Sequence, residues 1–281
     1  MFLRPILFRR RAPFACAVVT LFALLSSAPF VGAAERIVST DAAATELLVA
    51  MGLGPHIVAV DVTSQPPRPG VARVGYHRNL SAEGLLSLQP DLVVGSDHMG
   101  PPVVVTALQQ ARIPTLQLPS PTTAAQLADN IQRLGQAVSA DPAALLAKLQ
   151  QQLQRLTQTP LDQERMVFLL AMDASKLRVA GQGSGGQAFI ELMGAQNAAS
   201  HTNYQTLSDE SLLALEPTTL LIASGDQASF DALLAQHPLL AHTPAGKQQR
   251  LLRVDASALV AGLSLAAVAQ AEQIHRQLLA D

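Results

Sequence analysis

The 281-residue sequence has no tryptophan and only two tyrosines, Tyr76 and Tyr204. Lysine stands at only Lys148, Lys176 and Lys247, so arginine carries most of the positive charge. The single cysteine, Cys16, rules out an internal disulfide or a cysteine metal cluster. Charged residues are 14% of the chain, the formal net charge is -2, and no long basic run follows the first residues. That disfavours nucleic acid as the main partner. A Gly-x-Ser-x-Gly elbow is missing, and no Ser/His/Asp arrangement stands out, so a hydrolase reading has no nucleophile to rest on. Charge is scarce without any shortage of core: hydrophobic residues make up 49%, which argues against disorder.

The first residues read as an address. Arg4, Arg9, Arg10 and Arg11 open the chain, Phe14 to Leu25 is mostly apolar, and Val31-Gly32-Ala33 offers small residues for cleavage. This order matches a secretory signal peptide over residues 1–33. Its apolar core is shorter than the roughly 20 residues a membrane anchor needs. Cys16 follows Pro13-Phe14-Ala15, a poor lipoprotein box, and is expected to leave with the signal. Cleavage after Ala33 removes four of the 19 basic residues, leaving 15 against 21 acidic ones and a net charge of -6. No later apolar stretch is long enough to span a bilayer, so a soluble, exported protein is expected.

Strand and helix patterns then alternate. Arg36 to Ser39, Ile57 to Val60, Leu92 to Val94 and Thr115 to Leu118 read as strands, with helices near Ala42 to Met51 and Val103 to Ala111. Strands follow at Met166 to Leu170, Leu177 to Val179, Leu220 to Ala223 and Leu251 to Val254, with helices over Gln187 to Met193 and from about Leu263. Such alternation predicts an α/β fold of parallel sheets covered by helices. Between the halves, Asp141 suits an N-cap and Pro142 a first helical position. Leu145, Leu146, Leu149, Leu153 and Leu156 then recur at helical spacing until Thr157 to Pro160. The expected division is an N-terminal lobe over 34–140, a stiff connecting helix over 141–159 and a C-terminal lobe over 160–281.

The strongest internal signal is a repeat. Leu80-Ser81-Ala82-Glu83-Gly84-Leu85-Leu86-Ser87-Leu88-Gln89-Pro90 and Leu207-Ser208-Asp209-Glu210-Ser211-Leu212-Leu213-Ala214-Leu215-Glu216-Pro217 share the pattern Leu-Ser-x-Glu-x-Leu-Leu-x-Leu-x-Pro. Ser81 and Ser208 are natural N-caps, and Glu83 and Glu210 fall in first turns, where the helix dipole favours a carboxylate. Capped helices explain the Ser, Glu and Leu positions. They leave unexplained why the two tyrosines stand just before both copies.

The segment Gly75-Tyr76-His77-Arg78-Asn79-Leu80-Ser81-Ala82-Glu83-Gly84 is similar to the Tyr-x-Arg-x-Leu-Ser-Ala-Glu-Gly stretch of haem-binding members of one family. Arg36-Ile37-Val38-Ser39, Thr45-Glu46-Leu47 and Gly52 also match that family's opening, although Thr40-Asp41 replace a Gly pair common there. The chain thus resembles periplasmic binding proteins of bacterial ABC importers, in the group that carries haem, siderophores and vitamin B12. The resemblance covers nearly all of the chain after residue 33. It implies a class III binding-protein fold: two α/β lobes, joined by one long helix, that close on haem b (hemin). Haem would be the transported ligand, delivered to an inner-membrane ABC permease dimer with its ATPase. The resemblance further implies a periplasmic monomer, no enzyme activity and no nucleic-acid partner. Tyr76 would ligate the iron with Arg78 in support, and Glu83 and Glu210 would pair with permease arginines. The alternative ligand is a ferric siderophore or cobalamin.

Ligation by Tyr76 is chemically sound. Phenolate is a hard anionic oxygen known at haem iron. Free tyrosine ionises near pH 10, but a bound metal cation and a nearby guanidinium both favour the phenolate. In an extended segment His77 would point away from Tyr76 and reads as a rim or surface residue. His201 and Tyr204, ahead of the second repeat, are candidates for the opposite wall. His98 with Met99 follows a strand's C-terminal end, where α/β ligands bind. His56, His237, His242 and His275 show no metal spacing. Gly181-Gln182-Gly183-Ser184-Gly185-Gly186 fits neither nucleotide-binding glycine pattern. It reads equally as a plain strand-to-helix turn or as backbone that admits a flat ligand or binds a propionate. Siderophore sites call for several cationic or aromatic groups, and only five Phe or Tyr lie beyond Ala33.

Overall fold

The computed structural model describes residues 34–173, 176–224 and 230–280. The expected signal peptide, with Cys16, lies outside the described residues.

The first sheet contains β1 (Ile37–Ser39), β2 (Ile57–Val60), β3 (Ala72–Arg73), β4 (Leu92–Ser96) and β5 (Thr115–Leu118). Its order is β3-β2-β1-β4-β5 and every pairing is parallel. Strands β1 and β4 are buried at every residue, as continuous apolar runs between two helical layers should be. The covering helices are α1 (Ala42–Ala50), α2 (Ala82–Ser87), α3 (Pro102–Gln110) and α4 (Ala124–Val138). The strand order reverses between β1 and β4. The chain therefore leaves their C-terminal ends in opposite directions, which opens a crevice there. Thr40 and Asp41 are both buried at that point. Asp41 caps α1 by accepting from the Ala44 amide at 2.8 Å. The Thr40 side chain fills the space that a Cβ on Gly95 would occupy, within 1.8 Å of its hydroxyl.

The helix α5 (Ala143–Gln158) leads to the second half. It starts one residue later than expected. Pro142 takes the N-cap position, and Asp141 satisfies the Ala143 amide through its carboxylate at 2.9 Å. The second sheet holds β6 (Arg165–Asp173), β7 (Lys176–Ala180), β8 (Gln196–Asn197), β9 (Tyr204–Thr206), β10 (Thr219–Ser224) and β11 (Leu251–Asp255). Its order is β11-β10-β6-β7-β9, with β8 against β6. Here β7 runs antiparallel to β6 and β9 antiparallel to β7, so the second sheet is mixed. The cause is chain length. Two residues separate β6 from β7, whereas a parallel return needs a crossover of about a dozen or more.

The helices of this half are α6 (Gly185–Leu192), α7 (Asp209–Ala214), α8 (Phe230–Gln236), α9 (Pro244–Lys247) and α10 (Leu265–Ala280). Helix α10 contributes Val268 to the core under the first sheet, and Ala267, Ala271, Ile274 and Leu278 to the core under the second. Its first turn is also tied to α1: the Ala266 amide donates to Glu46 at 2.9 Å. Farther along, Glu272 accepts from Gln152 and Arg155 of α5. The two cores are therefore linked by α5 through the chain and by α10 through packing.

The repeat is structural as well as sequential. Ser81 and Ser208 accept from Gly84 and Ser211 amides at 3.2 and 3.3 Å, and Leu85 and Leu212 are fully buried. Gln89 and Glu216 both turn through the left-handed region, at φ 49° and 47°, before the proline that precedes β4 or β10.

Candidate functional site

A cleft of about 900 Å³ opens between the C-terminal ends of the two sheets. Tyr76, Arg78 and His98 stand on the first-sheet side, with Leu170, Arg178, Tyr204 and Leu259 on the second. Four of the five residues expected to meet a ligand therefore face one space. His201 does not line it. Its ring lies 3.1 Å from the Val179 carbonyl, and its backbone packs where a Cβ on Gly181 would stand.

Tyr76 sits in a turn between β3 and α2. The turn closes with the Asn79 amide donating to the Tyr76 carbonyl at 2.8 Å. Gly75 enters it at φ 89°, a conformation that suits glycine. The Gly100 amide donates to His77 O and the Leu80 amide to Gly100 O, both at 2.9 Å, which fastens the turn to the loop after β4. The Tyr76 side chain is 46% exposed.

The turn changes the reading of His77. Its chain is not extended here, so His77 lies beside Tyr76, with ring centroids 4.2 Å apart at 51°. It is no rim residue: it is 1% exposed and rests on the buried Asp61. Burial works to raise the Asp61 carboxyl, but hydrogen bonds from His77, Ser64 and Thr63 outweigh it and hold that group below its ordinary value.

Arg78 is exposed at the cleft, and among the described residues no carboxylate forms an ion pair with it. Burial and the Arg78 charge both press the His98 pKa down, against the pull of Asp97. On the opposite wall the Tyr204 hydroxyl accepts from the Gly186 amide at 3.0 Å. Burial raises its pKa, against the pull of Gly186 and Arg178. The Arg178 guanidinium lies 5.6 Å from the Tyr204 ring centroid and donates to the Tyr204 carbonyl at 3.1 Å. Phe168 and Ala223 close the bottom of the cleft.

Among the described residues the cleft offers a phenol without a hydrogen-bond partner, two guanidiniums in no ion pair and an apolar floor. Among the described residues, no cluster of three or more His, Cys, Asp or Glu could hold a bare metal ion. The sequence pattern of periplasmic binding proteins matches residues 37–258. The chain belongs to the periplasmic binding protein family. Its fold is similar to that of the periplasmic heme-binding protein HutB of Vibrio cholerae, at 36% identity and a TM-score of 0.80, covering 86% of this chain and 98% of that one. A periplasmic heme-binding protein from Pseudomonas aeruginosa gives 32% identity and a TM-score of 0.79, covering 87% and 92%. The vitamin B12-binding protein of Vibrio cholerae serotype O1 is 29% identical over 213 residues, 73% of this chain and 76% of that protein.

Two α/β sheets joined through one long helix make this a class III periplasmic binding protein. No described helix is long and apolar enough to cross a membrane. Sequence reasoning missed Arg178 and Asp61 in this binding protein. Arg178 is a charge in a strand otherwise apolar from Leu177 to Ala180, which is a usable signal. Asp61 ends the apolar run of β2 and gives no local sign of its partner.

Proposed function

We propose that the cleft captures ferric haem and that the protein hands it to an inner-membrane ABC permease. The observation that carries this reading is the Tyr76 phenol, 46% exposed at the cleft beside the unpaired Arg78. Phenolate suits Fe(III), and Arg78 lines the same side of the cleft. Anionic ligation also discourages reduction, as suits a carrier. Leu170, Leu259 and Val260 give the macrocycle an apolar seat, and Arg178 and Arg78 give its two carboxylates cationic partners. His98 contributes an imidazole edge. Tyr204 meets the ligand's periphery, because its hydroxyl is engaged at α6 and its burial disfavours the phenolate. His201 bonds the Val179 carbonyl and the Gln182 amide away from the cleft.

The similarity to a vitamin B12-binding protein keeps cobalamin as the second reading. A corrin rimmed by neutral amides, with a single phosphodiester on its nucleotide arm, makes less use of two guanidiniums and a phenolate, which places it second. The same proposal covers a signal peptide over 1–33, a periplasmic monomer, lobes over 34–140 and 160–281 joined by a stiff connecting helix over 141–159, and docking through Glu83 and Glu210. Both glutamates are exposed in first turns of repeat-related helices.

The test is a spectral titration of the purified protein with hemin, cyanocobalamin and a ferric siderophore. Haem capture predicts a high-spin ferric spectrum with a phenolate-to-iron band. Saturable binding of cobalamin or siderophore with no hemin spectrum overturns it.

A further inference from the structure

We infer that His77, anchored on Asp61 behind the cleft wall, is the positioning residue that aims the Tyr76 phenol at the ligand. Its functional meaning rests on the haem reading, while the placement rests on geometry alone.

Asp61 stands just past the end of β2 and is completely buried. Its carboxylate has no freedom to swing. Thr63 donates to both oxygens, at 2.9 and 2.7 Å, and Ser64 donates to Oδ1 at 2.6 Å. The Thr45 hydroxyl reaches Ser64 Oγ at 2.9 Å, which ties this group to α1. Arg73 holds the Asp61 and Ser64 carbonyls. The carboxylate also meets His77 Nδ1, 3.4 Å from Oδ2, and the Thr63 backbone. An ionised carboxylate only accepts, so Nδ1 carries the proton and the imidazole plane is set by Asp61.

That plane backs the Tyr76 ring. Among the described residues His77 supplies the ring contact made by Tyr76. Tyr76 is otherwise half in solvent, and its hydroxyl forms no hydrogen bond with a described residue. Its aim therefore depends on what stands behind it. Packing alone does not account for the choice of histidine. His77 Nε2 is buried without a hydrogen-bond partner among the described residues, which is unfavourable. A leucine would fill the space without an orphaned nitrogen. What leucine cannot do is bond Asp61.

Four full-length, processed proteins test this: the parent, His77→Ala, His77→Leu and His77→Asn. The Asn amide can donate to Asp61 from near the Nδ1 position. Hemin affinity in the Ala and Leu variants should fall about 10–100-fold, the usual range for partners that orient a metal ligand. Their phenolate-to-iron band should move, and Asn should restore much of both. A folded Ala or Leu variant with the parental band and affinity overturns the proposal, as does an Asn variant no better than Leu.

A second readout needs no haem. With no tryptophan in the chain, Tyr204→Phe leaves Tyr76 as the sole fluorophore of this kind. Time-resolved anisotropy of that protein should show a restrained ring, and His77→Leu on the same background a faster one. Equal anisotropy decays overturn the positioning role whatever hemin does. If the parent takes up no hemin but the decays differ, the haem reading fails and the positioning role stands.

Discussion

Replacing Tyr76 by phenylalanine should separate binding from stability. The substitution removes one oxygen and keeps the ring. That oxygen is on a side chain 46% exposed and has no hydrogen-bond partner among the described residues. The ring keeps its contact with His77 at 4.2 Å. Stability should therefore change by less than about 0.5 kcal/mol, a Tm shift of about 1–2 °C for a chain of this size. Binding should respond on another scale. Residues that merely orient a ligand atom are worth about 10–100-fold in affinity. The ligand atom itself should exceed about 100-fold, or ~2.7 kcal/mol. The binding effect should thus exceed the stability effect at least about fivefold. Hemin titration, followed at the main absorption band and the phenolate-to-iron band, gives the first number, and thermal unfolding without hemin gives the second. An unchanged band and affinity would show that Tyr76 does not hold the iron. A Tm drop above about 5 °C would show that the hydroxyl has a structural partner and refute its free placement at the cleft.

Three further outcomes follow from other parts of the structure. The Glu83→Ala/Glu210→Ala double variant should bind hemin normally yet fail to stimulate haem uptake into permease-containing proteoliposomes, with docking weakened by added salt; full uptake would leave both as helix-start residues only. Gly186→Ala would put a Cβ 2.5 Å from that of Ala180 and 2.8 Å from the Phe168 ring, an overpacking that should cost about 1–3 kcal/mol and show as a lower Tm; an unchanged Tm would contradict that close approach. Burial raises the Glu46 pKa, so its carboxyl contributes stability that is full below the ordinary value of about 4.3 and is lost as pH rises through the raised one. Glu46→Gln keeps an acceptor for the Ala266 amide without titrating, so the parent's Tm minus the variant's should fall between pH 4 and neutrality; a flat difference would show that Glu46 does not titrate abnormally.

What the sequence made legible was local. Ser81 and Ser208 announce helices that begin at the next residue, and the Pro-flanked apolar runs after them become the buried central strands β4 and β10. Tyr76 and Arg78 were legible through the family resemblance of their segment, and His98 through its place after a strand's C-terminal end. Helix α4 carries a legible signal as well: Thr123 caps it, and Leu127, Ile131, Leu134 and Val138 follow at helical spacing. The reversal at β7 was not readable from periodicity, because alternation looks the same in parallel and antiparallel strands. Nor was the partnership of Asp61 with His77, sixteen residues apart. The expectation for His77 failed on one torsional fact: its segment turns, and a turn places successive side chains together.

The glycine stretch shows how a surface-like motif can be spent on packing that in turn shapes the site. Gly181 lacks a Cβ because the His201 carbonyl would lie 2.0 Å from it, and this close approach carries His201 away from the cleft. Gly186 lacks one because Phe168 and Ala180 press on it. The amide donors at the start of α6 are largely taken: Tyr204 receives Gly186, and Ser184 receives Gln187 through its hydroxyl and Ala188 through its carbonyl. A helix start whose donors are already bonded has little left for a propionate, so the turn reading explains these glycines better than the anion reading. Their effect on the ligand is indirect. By drawing α6 onto Phe168 and fixing Tyr204, they bring the apolar floor and the Arg178–Tyr204 edge together on one wall. Arg78 and the Tyr76 phenol stand on the other, so the two walls offer a planar, anionic iron complex different chemistry on its two sides.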